Sequence, residues 1–241
     1  MTSPARISVL ASGGGSNIQA LIDHFADPAA HAGVITFVVS ERAEAGALAR
    51  ARAAGIATGV IDAPLDGDAM LSLLDAAKTD VLVLAGYLKL VPEAVVRAFR
   101  GRLLNVHPAL LPSFGGPGMY GKRIHQAVLD HGATLTGVTV HFVDEHFDRG
   151  PIIAQWPVPV LPGDDATLLA ARVLRAEHRL LPLCVAAVAS RAIVLGEDDR
   201  VHGRLDIPVS VNAPDWRFAL AEDAAGPSPA FATDVARLFP R

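Results

Sequence analysis

The side chains best suited to chemistry stand in the run Leu103-Leu104-Asn105-Val106-His107-Pro108, where an amide and an imidazole lie two positions apart. On an extended backbone positions i and i+2 face the same side, so Asn105 and His107 project together. Pro108 cannot donate to a sheet ladder, and the chain must leave the sheet just after the histidine. An amide that donates and accepts, beside a group that titrates near neutrality, suits stabilising and protonating a developing oxyanion. Taken alone, Asn-x-His-Pro would serve equally well to tie down a loop, so the other polar clusters decide its meaning.

The first of these is Ser12-Gly13-Gly14-Gly15-Ser16-Asn17. It lacks the Lys-Ser/Thr of a P-loop, which argues against a nucleoside-triphosphate engine. Ile18 stands where the dinucleotide fingerprint has its third glycine, which argues against a nicotinamide dehydrogenase. What remains is a strand, a flexible loop and a helix N-terminus, a general site for one phosphate monoester. Ser16 or Asn17 is expected to cap the helix.

The second cluster runs from Thr139 to Gly150 and holds His141, His146, Asp144, Glu145 and Asp148. The two histidines diverge along an extended chain and do not share a helical face, so no metal is expected. A single carboxylate facing His107 would stabilise its imidazolium. Asp144 and Asp148 are both candidates, and spacing does not choose between them. Farther on, Glu177 either accepts sugar hydroxyls or pairs with Arg175 or Arg179 on a solvated face.

Elements that could position these groups are legible in the apolar pattern. Strand-like runs at Ile7–Ala11, Val34–Val39, Ala57–Ile61, Asp80–Ala85 and Arg102–Val106 alternate with helical patterns, which implies βαβ units and a parallel sheet. A Gly/Pro-rich loop (115–121) and a helix over Lys122–Asp130 follow. Strands are expected over Thr134–Val143 and Pro151–Val160. Asp164 and Asp165 should cap a long helix ending near Ala189, with a kink at Pro182. The expected organisation is an α/β, Rossmann-like, doubly wound and mostly parallel sheet over residues 1–190. Residues 191–241 would form a hairpin and tail, a small C-terminal appendage without independence.

A 51% hydrophobic and 19% charged composition describes a folded chain rather than a disordered one. The net charge of −4 gives no basic surface for nucleic acid or acidic membranes, so an anionic substrate needs a local site. The single cysteine, Cys184, sits in an apolar run and fits a reducing compartment as an inert buried thiol. No signal segment or bilayer-length apolar run occurs, so the cytoplasm is expected.

Four segments occur here in the order found in phosphoribosylglycinamide formyltransferases, which the chain resembles over about residues 6–190. They are Ser12 to Ala20, Leu84-Ala85-Gly86-Tyr87, Leu104 to Pro112, and Val140 to Ile153. The resemblance implies the formyltransferase fold. It also implies transfer of the formyl group of 10-formyltetrahydrofolate, a co-substrate, to the amine of 5'-phosphoribosylglycinamide. It makes His107 the general acid, Asn105 the partner of the formyl oxygen, and Asp148 the carboxylate tuning the histidine. Gly15, Ser16, Asn17 and Glu177 match ribotide-binding positions. Leu88, Lys89, Leu90 and Val91, with Asp144, Glu145, His146 and Phe147, match the folate-pocket segments. Small-molecule substrates, no metal, no nucleic acid, no membrane, and a monomer or homodimer follow from the same resemblance.

Three departures stand out. Arg149 replaces a commonly small residue beside Asp148, the acidic stretch Asp62–Met70 lacks a basic residue often found near the folate, and nothing in the resemblance covers 206–241. A formyltetrahydrofolate deformylase would use the same three residues but usually carries an N-terminal regulatory domain, for which a fold beginning at Arg6 leaves no room. A methionyl-tRNA formyltransferase would need a larger and more basic C-terminal part. A non-catalytic nucleotide-binding module of this fold would bind ligand without turnover.

Overall fold

The computed structural model describes residues 3–27, 32–61, 66–203 and 205. Four βα steps and a fifth strand come first: β1 (Ala5–Leu10), α1 (Ser16–Ala26), β2 (Gly33–Ser40), α2 (Gly46–Ala53), β3 (Ala57–Val60), α3 (Gly67–Ala76), β4 (Val81–Leu84), α4 (Glu93–Ala98) and β5 (Leu103–His107). They are followed by α5 (Lys122–Asp130), β6 (Leu135–Phe142), β7 (Ile152–Pro159) and α6 (Ala166–Ala189). A separate hairpin joins β8 (Ile193–Leu195) to β9 (Val201–Gly203).

The main sheet has seven strands in the order β3-β2-β1-β4-β5-β6-β7. Its first five strands pair in parallel, as the alternating pattern requires. β6 and β7 run antiparallel to their neighbours. The link between β6 and β7 is too short for a parallel crossover, which takes a dozen or more residues. β4 is buried at every position, and on one side Leu82 and Leu84 pack with Leu10, Met70, Leu74 and Val95. Burying each such side chain contributes roughly 1.5–3 kcal/mol. α6 packs against α1, α5, β6 and β7.

Strand order reverses about β1 and β4, the switch point at which open α/β sheets bind ligands beyond their strand ends. The loops leaving β1, β4 and β5 (12–15, 85–92 and 108–121) therefore share one edge. α6 begins at a conventional cap, with Asp165 accepting the N–H groups of Thr167 and Leu168. Asp164 does not share that task. It accepts from Leu161 N–H and from Arg172, whose guanidinium holds the carboxyl below its ordinary value. Pro182 lies inside the helix, which continues beyond it to Ala189. Cys184 is fully buried, and burial pushes its thiol up to about 12. The β8–β9 hairpin belongs to a compact unit spanning Met1–Leu205, and the expected tail (206–241) lies outside the described residues.

Candidate active site

His107 ends β5 and is only 4% exposed. Its Nε2 lies 2.8 Å from the Phe114 carbonyl oxygen, in the loop that follows. A carbonyl only accepts, so Nε2 keeps its hydrogen in both charge states of the ring. The other ring nitrogen, Nδ1, faces Asp148 Oδ2 at 3.5 Å. Of the two candidate carboxylates, Asp148 is the one within reach of the histidine. Asp144 instead accepts the N–H of His146 at 2.9 Å, within its own turn. Asp148 has a left-handed backbone, φ 56, and its Oδ2 also accepts the N–H of Gly116 at 2.9 Å. It is held from the β5–α5 loop as well as from its own segment.

The Asn105 amide nitrogen lies 3.2 Å from His141 Nε2 and 3.4 Å from Asp148 Oδ1. The ring of His141 fixes that orientation. Its Nδ1 donates to the Phe142 carbonyl at 2.7 Å, and burial holds the ring below its ordinary value, so Nε2 is a neutral acceptor. An amide turned the other way would set oxygen against two acceptors. Asn105 and His141 are direct cross-strand partners, and the β6–β7 register shifts between Val140 and His141. Such irregularities re-aim side chains beside functional sites. In the sequence His141 raises only the question of metal; its cross-strand pairing with Asn105 is the signal that finds its place. His125, on α5, escapes sequence reasoning altogether. It is 4% exposed, and burial, with a smaller contribution from His107, pushes its ring down to about 4.

These groups open onto one cavity of about 530 Å³. Asn105, His107 and Asp148 stand in its wall. Asn17 and Glu177 line it as well, as do Leu88, Lys89, Leu90 and Val91, with His146 and Phe147 from the β6–β7 loop. Gly15, Ser16, Asp144 and Glu145 are not part of this wall.

Asn17 does not cap α1, and neither does Ser16: the helix starts at Ser16 with Gly15 before it and no side-chain cap. The Asn17 amide is engaged elsewhere, donating to Glu177 Oε2 at 2.6 Å with both side chains buried. Burial raises the Glu177 carboxyl above its ordinary value, and the Asn17 hydrogen bond opposes that shift. Among the described residues, no side chain accepts from the first-turn N–H groups of α1, the condition for receiving an anion. Gly15 has φ 76, and a Cβ there would come 2.5 Å from Ala47 Cα, so backbone and space both require glycine. Arg50, on α2, braces the loop by donating from Nε to the Gly14 carbonyl at 2.9 Å. Arg149 is exposed and makes no ion pair with Asp148. It lines a second cavity of about 550 Å³ beyond the carboxylate, together with Leu111, Pro112, Pro117 and Ile152.

A doubly wound sheet carrying an amide, an imidazole and a carboxylate at the exit of β5, beside an anion-ready helix end, has the construction of a formyl transferase. The formyl transferase family matches residues 5–185. A chloroplastic phosphoribosylglycinamide formyltransferase of Vigna unguiculata is 42% identical over 199 residues, covering 80% of this chain and 64% of that protein. The trifunctional purine biosynthetic protein adenosine-3 of Bos taurus is 43% identical over 203 residues, covering 82% of this chain and 20% of that protein. The chain thus spans less than two thirds of the length of either relative. The crystal structure of phosphoribosylglycinamide formyltransferase from Anaplasma phagocytophilum aligns with a TM-score of 0.76 at 37% identity, covering 83% of this chain and 94% of that one. The chain belongs to the phosphoribosylglycinamide formyltransferase family.

Proposed function

We propose that the protein transfers the formyl group of 10-formyltetrahydrofolate to the primary amine of 5'-phosphoribosylglycinamide, a step of purine biosynthesis. The observation that carries this reading is the shared cavity. It brings Asn105, His107 and Asp148 into one wall with Asn17 and Glu177 and with the largely apolar segment Leu88–Val91.

In this reading the ribotide phosphate meets the N–H groups at Gly15, Ser16 and Asn17, and Glu177 accepts its ribose hydroxyls. The folate ring lies against Leu88–Val91 and against His146 and Phe147 of the β6–β7 loop. The neutral amine attacks the formyl carbon, and the carbonyl π pair moves onto oxygen. That oxyanion takes a hydrogen bond from the Asn105 amide, whose 3.4 Å contact with Asp148 is the weaker of its two, and a proton from His107 Nδ1. Asp148 stabilises the imidazolium that donates it. Collapse re-forms the carbonyl, returns the proton to Nδ1 and breaks the bond from carbon to folate N10. N10 takes up the proton lost by the attacking amine, so atoms and charge balance with no redox partner. Holding amine and formyl carbon in contact is itself a large part of the rate enhancement.

Among the described residues no helix is long and apolar enough to cross a membrane. A cytoplasmic location and a monomeric or homodimeric state complete the proposal. The test is folate release from 10-formyltetrahydrofolate with and without the ribotide. Release that requires the ribotide and yields formylated product supports the transferase. Equal release in both arms makes the protein a deformylase, and no release in either makes it a binding module.

A further inference from the structure

We propose that the Ser12 hydroxyl couples the two substrate sites, so that occupancy of one tightens the other. This deepens the functional reading above and rests on it. Ser12 follows β1 and is 4% exposed. Its N–H donates to the Gly86 carbonyl at 3.2 Å, and its Oγ accepts the N–H of Leu88 at 3.1 Å. Those two bonds cross-link neighbouring strand ends, because β1 and β4 pair side by side with Leu10 opposite Leu84.

The two fastened segments serve different ligands. One residue beyond Ser12 the chain enters the glycine loop that leads into α1. On the other side of the bond the segment Gly86–Val91 has no regular secondary structure, and Leu88 and Leu90 are 51% and 50% exposed. Tyr87 and Val91 anchor the segment in the core, and between them the Leu88 N–H is fixed by a side chain rather than by a sheet ladder. The glycine loop is tied to α2 at two further points: Gly13 O accepts the Ala47 N–H, and Gly14 O accepts Arg50 Nε. A phosphate that orders this loop thereby orders Ser12, and with it the wall against which the folate ring lies. The Gly86 bond is made by backbone and survives substitution, so the hydroxyl is the part that mutation can remove cleanly. Linkage makes the effect reciprocal: whatever factor the ribotide exerts on folate affinity, folate exerts on the ribotide. Ser12 is thus a positioning residue that touches neither reacting atom.

The test measures the dissociation constant of 10-formyl-5,8-dideazafolate with and without saturating ribotide, in the unaltered protein and in Ser12→Ala. The expected result is tightening by about fivefold or more in the unaltered protein and by less than about twofold in Ser12→Ala. Each ligand alone should bind the variant within about threefold of its original affinity. An equal factor in both proteins, or no tightening in the unaltered protein, overturns the coupling and leaves the proposed activity standing. Failure of either probe to bind the unaltered protein overturns both. A second measurement needs no variant. Amide exchange at Leu88 should slow several-fold when the ribotide alone is bound, and an unchanged rate under saturating ribotide refutes the inference.

Discussion

The proposed catalytic cluster depends on which nitrogen of each ring carries hydrogen. The Phe114 carbonyl fixes one hydrogen on His107, and the Phe142 carbonyl does the same for His141. One ring is left with a transferable position at Nδ1 and the other becomes a fixed acceptor that orients Asn105. Replacing His107 with alanine removes the proton donor without touching Asn17 or Glu177. The expected result is a fall in kcat of about 10²–10⁴-fold with the ribotide dissociation constant nearly unchanged, measured by steady-state turnover and calorimetric titration. Near-normal turnover would remove the acid role. Glu177→Gln should act in the opposite way. The amide keeps an oxygen for the Asn17 donor but loses the second oxygen as an acceptor for a hydroxyl, so KM for the ribotide should rise about tenfold with little change in KM for folate. Equal rises in both constants would argue against a ribose contact. Asn105, His107 and Asp148 are named by the sequence and its family resemblance. The buried rings beside them are not: His141 meets Asn105 only through cross-strand pairing, and His125 enters the cavity wall only through the packing of α5.

At the scale of elements, the parallel half of the sheet was legible because each buried strand is a short apolar run closed by a turn residue. The antiparallel run of β6 against β5 was not, because the link between them (108–134) carries α5 and is long enough for the parallel crossover the earlier steps make; pairing in the folded sheet decides the direction. Helix capping misled for a related reason. Ser16 and Asn17 are good capping types, yet Asn17 turns to Glu177, 160 positions away, and leaves the cap to Gly15. Tertiary pairing overrode a local preference. The loop geometry can be tested directly. Gly15→Ala meets both a positive φ and a 2.5 Å approach to the Ala47 backbone, so α1 or α2 must move. The expected cost is about 1–3 kcal/mol in urea unfolding, with a rise in KM confined to the phosphorylated substrate. A fully stable variant with unchanged KM would show that the loop can adopt another path.

For the whole molecule, the buried rings tie stability to pH. The His125 ring titrates near 6.5 in an unfolded chain but only near 4 in the folded protein, chiefly because burial disfavours its charged form. Between these values the unfolded chain binds more protons, so stability must fall as pH falls from about 6.5 to about 4. The slope from this group approaches 1.4 kcal/mol per pH unit. His141, also lowered by burial, contributes in the same direction. Glu177 has the opposite sign. Its raised carboxyl stays protonated in the folded protein where the unfolded chain has ionised, so its contribution is lost as pH rises above the ordinary carboxylate value. The two effects separate on substitution. Unfolding midpoints in urea, taken at intervals between pH 7 and pH 5, should fall less steeply for His125→Gln than for the unaltered protein, even if the variant starts lower. Glutamine keeps a polar side chain of similar reach and cannot gain a proton, so the change in slope reports the titration and not the packing. Parallel curves would mean that the ring is protonated in the folded state at these pH values, and that His107 shares its wall of the cleft with a cation.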